Sequence, residues 1–512
     1  MLKKVFGSAV FGVEATTITV EVNVDNGVGY HLVGLPDNAI KESNFRIAAA
    51  LQNNGYKIPG KKIIINMSPA DLRKEGSSYD LTLAIGILAA TGQIQVENLE
   101  EYLIMGELSL DGNLQPIKGA LPIAIKAQEE GYKGFILPMQ NAKEAAIVSD
   151  LEVYGVENIK QVIDFFDKNV PLERTIINVE EEFYKSLDFP EFDFSDVKGQ
   201  ESIKRCMEIA AAGGHNIILI GPPGAGKTML AKRLPSILPP MTMREALETT
   251  KIHSVAGRVK DNTGLMSQRP FRSPHHTISN VALVGGGSYP QPGEISLSHN
   301  GVLFLDELPE FKRDVLEVMR QPLEDREVTI SRAKFTVTYP SSFMLVASMN
   351  PSPGGYFNDP NAPVTSSPAE MQRYLSKISG PLLDRIDIHI EVTPVPFEKL
   401  SDERKGESSI EIRKRVTSAR ERQTKRFEEH ENVHYNAQMS SKQIRQYCMM
   451  DEASKNLLKT AMERLNLSAR AYDRILKVAR TIADLEGVED LNGAHISEAI
   501  QYRSLDREGW LG

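Results

Sequence analysis

The segment from Asn216 to Thr228 carries the residues whose types and spacing point most directly to chemistry. Asn216 to Ile220 is a short apolar run, which is typical of a buried parallel strand. The next eight residues match Gly-x-x-x-x-Gly-Lys-Thr, in which glycines let backbone N–H groups surround a phosphate. Lys227 can reach the β- and γ-phosphates of a nucleotide, and Thr228 can offer its hydroxyl to Mg²⁺. The segment therefore predicts a nucleoside-triphosphate site. Its expected binding residues are Gly221, Pro222, Pro223, Gly224, Ala225, Gly226, Lys227 and Thr228.

Two further apolar runs end in polar side chains that suit hydrolysis. The run Gly301–Leu305 leads to Asp306 and Glu307, and the run Phe343–Met349 leads to Asn350. If the first run lies next to the phosphate-loop strand, Asp306 would be a ligand for Mg²⁺ and Glu307 could polarise the attacking water. Asn350 could orient the same water, although an Asn before Pro is by itself typical of a turn. Together these side chains predict hydrolysis rather than passive nucleotide binding.

Two arginines have local contexts that suit a phosphate contact. Arg385 precedes an alternating strand predicted from Ile386 to Val392, where it could also simply pair with Asp384. Arg470 lies in the first turn of a helix that Ser468 is expected to cap, and a cation there opposes the helix dipole. An anion near Arg470, such as a triphosphate, would make that position favourable.

The elements that must position these residues divide the 512-residue chain into several domains, because one core rarely exceeds about 250–300 residues. Strand-like and helix-like runs alternate over residues 1–170, which predicts an α+β or α/β domain. The predicted strands there are Thr17–Val24, Lys62–Asn66, Leu103–Leu110 and Gly134–Pro138, and the predicted helices are Asp37–Asn53, Tyr79–Ala90 and Ala120–Glu130. An acidic, aromatic-rich linker is expected at 171–193. Residues 194–395 predict a parallel sheet around the phosphate loop, and residues 396–512 are predicted to be mostly helical.

Composition and charge argue against some classes of protein. The only cysteines are Cys206 and Cys448, which argues against a disulfide scaffold or a cysteine-rich zinc protein and suits a reducing cytosol. The apolar part of Val5–Val13 is short, broken by glycine and continues into a strand pattern, and no apolar run approaches membrane-spanning length. We therefore expect a cytoplasmic protein without a membrane partner. The formal charge of -9 argues against a basic coat over the surface but not against a local basic patch.

Several motifs together resemble those of the magnesium-chelatase-like AAA+ ATPases. Besides the phosphate loop they are Asp196–Gln200, Leu305–Pro309, Ala347–Pro351 and Gly380–Asp387. Over the whole chain, from Val33–Asp37 to Ala469–Arg474, the sequence is similar to the ComM/YifB family of bacterial competence proteins. The resemblance implies an α/β fold with a P-loop AAA+ core and a helical lid.

The same resemblance implies a hexameric ring with ATP and Mg²⁺ at the subunit junctions. Arg385 would be the arginine finger offered to a neighbour's γ-phosphate, and Arg470 would be the sensor-2 arginine of the lid. The implied activity is that of a DNA helicase, which promotes branch migration during recombination of incoming DNA and acts on single-stranded or branched DNA.

Two segments could contact DNA. Glu327–Pro340 predicts a hairpin whose tip carries Arg332 and Lys334, and in related ring helicases such a hairpin projects into the central channel. Basic tips would suit a phosphate backbone, although a merely solvated tip explains the pattern equally well. The glycine-rich insert that begins with Arg269 and Arg272 is the second candidate. Its histidine pair lacks further ligands at a useful spacing and predicts no metal site.

Residues 1–170 resemble the Lon-type protease domain, whose fold is that of ribosomal protein S5 domain 2 and whose chemistry uses a Ser–Lys dyad. Ser78 matches the serine, but Leu121 occupies the place of the lysine, and Lys118 lies three positions away. A serine without a base is not activated, so we expect a non-catalytic scaffold or a module that binds DNA or a partner.

Alternatives to a DNA motor remain open. A chelatase-like ATPase that remodels a protein partner is favoured by the acidic charge, whereas a protease is disfavoured by Leu121. Many relatives carry four zinc-binding cysteines after the third strand, but residues 350–366 contain none. We therefore predict no structural metal beyond the Mg²⁺ that accompanies ATP.

Overall fold

A computed structural model describes residues 2–185, 192–259, 263–287, 289–332, 335–353, 367–395, 406–430 and 433–503. In chain order the strands are β1 (Leu2–Phe11), β2 (Glu14–Asp25), β3 (Gly29–Val33), β4 (Lys62–Ser68), β5 (Tyr102–Ile104), β6 (Glu107–Leu108), β7 (Leu114–Gln115), β8 (Gly134–Pro138), β9 (Glu152–Val156), β10 (Ile217–Ile220), β11 (Phe271–Arg272), β12 (Gly285–Gly286), β13 (Gln291–Pro292), β14 (Val302–Leu305), β15 (Glu327–Arg332), β16 (Phe335–Pro340), β17 (Met344–Met349) and β18 (Ile388–Glu391). The α-helices are α1 (Asn38–Asn53), α2 (Asp80–Thr91), α3 (Ala120–Glu129), α4 (Met139–Ala145), α5 (Ile159–Lys168), α6 (Val179–Lys185), α7 (Glu201–Gly213), α8 (Lys227–Ile237), α9 (Met243–Val255), α10 (Asn280–Val284), α11 (Glu294–Leu297), α12 (Arg313–Glu317), α13 (Arg320–Asp325), α14 (Pro368–Leu375), α15 (Gly380–Leu383), α16 (Ser409–Arg426), α17 (Ser441–Tyr447), α18 (Glu452–Arg464), α19 (Ala469–Glu486) and α20 (Gly493–Gln501).

The chain forms two compact units. The first comprises Met1–Ser186 and Thr242–Ser267, and the second comprises Leu187–Met241 and Gln268–Gly512. Residues 242–267 fall within the range 194–395 that the sequence pattern assigns to the core around the phosphate loop, yet they are part of the first unit. Within that unit α9 packs against α3, where the Gly119 N–H donates to the Ser254 carbonyl at 3.0 Å.

The first unit is built on a seven-stranded mixed sheet in the order β3-β4-β2-β1-β5-β8-β9. Strand β1 pairs with β2 in antiparallel register from Leu2 opposite Asn23 to Phe11 opposite Glu14. The short apolar run near the start of the chain therefore lies mostly in a central strand of this sheet. Helix α2 is buried on every side from Asp80 to Ala90, so it lies within the hydrophobic core.

The predicted elements of this unit are confirmed apart from one strand. The strand predicted over Leu103–Leu110 is interrupted, because β5 ends at Ile104 and the chain then leaves the sheet. At the break, the Gly106 N–H donates to the Ser78 carbonyl at 2.7 Å, and the Gly106 carbonyl accepts from Leu81 N–H at 3.0 Å. The sequence pattern does not predict strands β1, β3, β7 and β9 or helices α4, α5, α6 and α9 of this unit.

The second unit contains a five-stranded sheet in the order β11-β14-β17-β10-β18, and every neighbouring pair is parallel. All residues of β10, β14 and β17 are buried, which explains why their sequences are continuous apolar runs. The parallel sheet is as predicted, but the expected adjacency of β14 and the phosphate-loop strand β10 is wrong. Strand β17 lies between them, because strand order depends on contacts distant in sequence.

The C-terminal helices share one hydrophobic cluster with the sheet of the second unit. Ile475, Val478 and Ile482 of α19 belong to the same buried cluster as Ile217 and Leu219 of β10. The predicted helical character of residues after 396 is confirmed over the described part. Among the described residues, no helix is both long and apolar enough to cross a bilayer.

A buried polar network joins α19 to the amino-terminal ends of β10 and β18. His215 hydrogen bonds through Nδ1 to the Asp387 carboxylate at 3.0 Å and through Nε2 to the Thr481 hydroxyl at 2.8 Å. Arg474 donates to the other Asp387 oxygen at 2.8 Å. Burial opposes ionisation of Asp387, but Arg474 and His215 outweigh it, so the pKa of this carboxyl lies well below its usual range.

Candidate active site

The phosphate loop connects β10 to the N-terminus of α8. Gly221 is buried, and a Cβ added there would lie 2.2 Å from the carbonyl oxygen of Val392, so a larger residue would clash with the backbone. Gly226 has a φ of 90°, which is left-handed backbone that favours glycine, and it precedes Lys227 at the start of the helix. Pro223 and Gly224 at the tip of the loop are exposed. The loop therefore leads into the positive, N-terminal end of the 11-residue helix α8, and the tip of the loop is exposed to solvent.

Lys227 is buried among three acceptors of the same site. Its ammonium donates to the carbonyl of Gly221, to the carbonyl of Pro222 at 3.0 Å and to Asn350 Oδ1 at 3.1 Å. Desolvation lowers the pKa of Lys227, although Asp306 and Glu307 act in the opposite direction. The predicted lysine and amide are thus in direct contact.

A chain of hydrogen bonds joins the predicted Mg²⁺ ligands to the predicted base. The Thr228 hydroxyl donates to Asp306 Oδ2 at 2.9 Å, and the Ser348 hydroxyl donates to Asp306 Oδ1. The Glu307 N–H donates to Ser348 Oγ at 3.2 Å. Ser348 was not among the predicted site residues, but it is the one hydroxyl within the apolar run Phe343–Met349. The register that pairs Leu305 with Ala347 places Asp306 beside it.

Glu307 is presented to solvent in an unusual backbone conformation. Its φ is 54°, and its side chain is 54 % exposed. The imidazole of His276 lies beside it, with Nδ1 3.7 Å from Glu307 Oε2. A strained non-glycine residue held this way is typical of functional sites. The sequence pattern around His276 indicates no role in hydrolysis, and its place beside Glu307 follows from β11, which lies next to β14.

Gln200 joins the phosphate loop to the end of β18. Its Nε2 donates to the carbonyls of Ala225 and Thr393, each at 3.0 Å. Gln200 belongs to one of the motifs that the sequence singled out, but no role was predicted for its side chain. Its position shows that this motif fixes the geometry of the loop.

The donor set fits a magnesium-bound nucleoside triphosphate. Lys227 supplies a cation and Thr228 a hydroxyl, and Asp306 accepts from that hydroxyl at 2.9 Å. A hydroxyl beside a carboxylate, at the end of a buried strand and the start of a helix, is the oxygen-rich environment that Mg²⁺ prefers.

Arg385 and Arg470 lie at the opposite edge of the sheet. Arg385 comes just before β18, and its carbonyl accepts from Asn216 Nδ2 at 2.9 Å where β10 begins. The phosphate loop follows the other end of β10, roughly 13 Å away at about 3.3 Å per residue. Arg470, in the first turn of α19 after the capping residue Ser468, pairs with Asp384. The structure therefore brings the two arginines into one region but not to the phosphate loop of their own chain.

The candidate DNA contacts differ in what surrounds them. Arg269 donates to the Pro239 and Asn300 carbonyls at 2.7 Å each, and Arg272 forms a two-pronged pair with Glu294 at 2.6 and 2.7 Å. Both guanidinium groups therefore serve internal contacts. The predicted hairpin is confirmed as β15 and β16, paired from Glu327–Pro340 inward to Arg332–Phe335. Arg332 ends β15 but its side chain, like the whole of Lys334, lies outside the described residues.

The protease-like region of the first unit has a closed interior where the dyad lysine would be. Leu121 is fully buried, and its N–H donates to the buried Glu144 carboxylate at 3.0 Å. Burial raises the pKa of the Glu144 carboxyl, although the bond from the Leu121 N–H acts in the opposite direction. Lys118 is exposed.

Comparison with known proteins agrees with this architecture. The descriptions "Magnesium chelatase, subunit ChlI", "Subunit ChlI of Mg-chelatase" and "Magnesium chelatase, subunit ChlI C-terminal" match residues 193–400, 20–141 and 406–503. The chain is 44% identical over 505 residues to competence protein ComM of Haemophilus influenzae, covering 98% of this chain and 97% of the relative. It is equally 44% identical over 505 residues to YifB of Salmonella typhimurium, covering 98% and 96%. Lon protease 2 of Bacillus subtilis is 29% identical over 142 residues, which covers 27% of this chain and 25% of that protein.

Proposed function

Because the chain belongs to the ComM/YifB family of magnesium-chelatase-like AAA+ ATPases, we propose that it is a cytoplasmic, Mg²⁺-dependent motor that hydrolyses ATP and remodels DNA. The more specific activity is that of a helicase promoting branch migration in recombination and natural transformation. The name of the Haemophilus relative, a competence protein, supports DNA as the substrate.

Each residue of the site has a chemical task in ATP hydrolysis. Lys227 and the loop N–H groups bind the phosphates, while Thr228 and Asp306 would hold Mg²⁺, which would neutralise charge on the phosphates. Glu307, exposed beside His276, accepts a proton from the attacking water. Asn350, at 3.1 Å from the Lys227 ammonium, orients that water toward the phosphate.

The observation that carries the proposal is the separation of the arginines from the phosphate loop. Arg385 and Arg470 lie at the amino-terminal edge of the sheet, whereas Lys227 and Glu307 lie at its carboxyl-terminal edge. A cation that stabilises the transferred phosphoryl group must be within contact distance. Arg385 and Arg470 therefore act on a neighbour's ATP, and the active form is a ring, which we infer to be hexameric.

The first experiment tests the base. Glu307→Gln is expected to keep ATP binding and to lose turnover by at least about 100-fold, because the group that activates water is gone. Glu310→Gln is a matched control, since Glu310 is an exposed acid three residues away that pairs with Lys377 at 3.4 Å. Full hydrolysis by Glu307→Gln would refute the catalytic role.

The second experiment tests the DNA path. Arg332 ends β15 and Lys334 follows it by two positions in the sequence, so replacing both by alanine is expected to weaken DNA-stimulated turnover and to flatten its salt dependence. Replacing Lys455 and Lys459, two exposed lysines of α18, by alanine removes the same charge elsewhere. This control is expected to change neither DNA-stimulated turnover nor its salt dependence. Unwinding of branched DNA with and without ATP measures the activity itself. Unchanged unwinding in the hairpin variant would remove the hairpin from the DNA path.

A chelatase-like motor that remodels a protein partner is the second candidate. It is favoured by the net charge of -9 and by the internal engagement of arginines on the basic helix α16. Arg415 pairs with Glu208 at 2.5 Å and also binds Glu407, and Arg420 donates to the Ala211 carbonyl at 2.8 Å. Failure of single-stranded and branched DNA to stimulate ATP turnover would favour this candidate.

A further inference from the structure

We propose that Glu324 is a positioning residue that keeps Arg385 away from a neighbour's phosphate and links it to the base of the β15–β16 hairpin. The inference rests on the proposed role of Arg385 in a neighbour's site. It goes further by naming the group that restrains this arginine and the element to which the restraint is attached.

The first step concerns how Arg385 is held. One end of its guanidinium binds the Glu324 carboxylate, and Nη1 donates to the Pro381 carbonyl at 2.7 Å. The side chain is only 18% exposed, although Glu324 itself is 65% exposed. An arginine that must enter another subunit's site cannot do so from this position. To reach a phosphate there, Arg385 has to exchange the carboxylate of Glu324 for that phosphate.

The second step concerns the local charges. The guanidinium of Arg385 lowers the pKa of Glu324, with smaller contributions from Arg320 and Arg470. Glu324 is therefore ionised at neutral pH and faces several cations of the same region. Asp384 pairs with Arg470 next to it, so each of the two arginines is balanced by a carboxylate of its own chain. A phosphate from a neighbour would compete with these carboxylates for the same guanidinium groups.

The third step concerns what else Glu324 is attached to. It lies in α13, which ends at Asp325, and Arg326 alone separates this helix from the first hairpin strand, β15. Arg326 has left-handed backbone with a φ of 59°, and its carbonyl accepts from Ser341 N–H at 2.8 Å just after the second hairpin strand, β16. The ion pair thus joins Arg385 to the root of the hairpin. A displacement of the hairpin that moves α13 would break the bond and release Arg385, and engagement of Arg385 by a phosphate would release α13.

The test uses mixtures of two full-length variants, so that each chain has one defined task. A Glu307→Gln chain keeps its own Arg385 but does not hydrolyse ATP, and an Arg385→Ala chain can hydrolyse ATP only with a neighbour's arginine. Their mixture is expected to turn over more ATP than the sum of the two alone. Adding Glu324→Gln to the Glu307→Gln chain is expected to raise the turnover of the mixture about 2- to 5-fold, the range for breaking a partly exposed ion pair.

Two controls separate release of the arginine from other effects. Asp325→Asn in the Glu307→Gln chain removes the same charge one residue away and is expected to leave the turnover of the mixture unchanged, since Asp325 is exposed. Glu324→Gln in the Arg385→Ala chain is expected to have no effect, because that chain has no Arg385 to release.

In otherwise unmodified chains, Glu324→Gln is expected to lower the ratio of turnover with single-stranded DNA to turnover without it by the same factor. A bond that only stabilised the fold would leave that ratio unchanged.

The outcomes distinguish this inference from the proposed function. If the Glu307→Gln and Arg385→Ala chains show no gain on mixing, the role of Arg385 in a neighbour's site is wrong, and the inference falls with it. If they show the gain but Glu324→Gln in the arginine-providing chain behaves like Asp325→Asn, the proposed function stands and the role of Glu324 is refuted.

Discussion

Replacing Ser348 by alanine tests whether the two acids after β14 depend on a shared hydroxyl. Ser348 is fully buried, donates to Asp306 and accepts from the Glu307 N–H at 3.2 Å. The hydroxyl therefore orients Asp306, the proposed ligand for Mg²⁺, and holds the backbone of Glu307, the proposed base, in its left-handed conformation. No other side chain in the described part of the structure is seen to bridge the two residues.

The magnitude follows from the two bonds that are lost. A hydrogen bond to a charged group contributes about 1.5–3 kcal/mol, and an N–H left without an acceptor costs about 1–3 kcal/mol. If misorientation of Asp306 and Glu307 raises the free energy of the transition state by about 1.4–2.8 kcal/mol, kcat is expected to fall 10- to 100-fold. The nucleotide is still bound by Lys227 and the loop, so KM is expected to change by less than about threefold. The free energy of unfolding is expected to fall by about 1–2 kcal/mol.

The assay is steady-state ATP turnover with the assembled protein, together with direct nucleotide binding and urea unfolding. Ser341→Ala is the matched control, because Ser341 is also buried and directly precedes the Ser342–Phe343 segment leading into β17. Its hydroxyl has no hydrogen-bond partner among the described residues, so its loss is expected to leave kcat unchanged. A kcat of Ser348→Ala within twofold of the unmodified protein, or an equal loss in Ser341→Ala, would refute the reasoning.

Three further substitutions have defined outcomes. Burial lowers the pKa of Lys477 from 10.5 to about 8, so between these values the unfolded chain holds a proton that the folded chain has lost, and stability rises with pH. Lys477→Met is expected to remove up to about 1.4 kcal/mol per pH unit of that rise, measured by urea unfolding at pH 8 and pH 10. Asp484→Asn leaves the buried guanidinium of Arg480 without its carboxylate partner at 3.1 Å, and the free energy of unfolding is expected to fall by about 3–5 kcal/mol in the same assay. Gly221→Ala places a Cβ 2.2 Å from the Val392 carbonyl oxygen, and ATP binding in a titration is expected to weaken by more than about tenfold; undiminished binding would contradict the required close approach.

Local patterns in the sequence were sufficient to predict the strand, loop and helix start that place Lys227 and Thr228, the proposed phosphate-site residues. Lys227 and Thr228 follow a strand and start a helix, and the pattern that predicts this lies within 13 consecutive residues, from Asn216 to Thr228. The hairpin from Glu327 to Pro340 and the capped helix that begins after Ser468 could be predicted for the same reason. Each depends on hydrophobic alternation, turn residues or a cap within a short stretch.

The parts that could not be predicted depend on pairing between distant strands. The insertion of β17 between β10 and β14 determines that Asp306 lies beside Ser348, and no local pattern specifies strand order. His276 comes next to Glu307 only because β11 is the edge strand beside β14. Residues 242–267 lie within the range 194–395 that the sequence pattern assigns to the core around the phosphate loop, yet they are part of the first unit. The positions of His276 and Ser348 in the site therefore depend on the pairing of strands that are distant in sequence.

The direction of the strands determines at which edge of the sheet each proposed site residue lies. In a parallel sheet, everything that follows a strand lies at one edge and everything that precedes it lies at the other. Lys227, Asp306 and Asn350 follow their strands, whereas Arg385 precedes β18, and His215 precedes β10. The bond from His215 to Thr481 fixes α19, and with it Arg470, to the second edge. In the proposed ring, one chain would therefore contribute half of a hydrolytic site at each edge of its sheet. Turnover is then expected to depend steeply on protein concentration until the ring is assembled, and ATP turnover that stays proportional to concentration down to the monomer would contradict this.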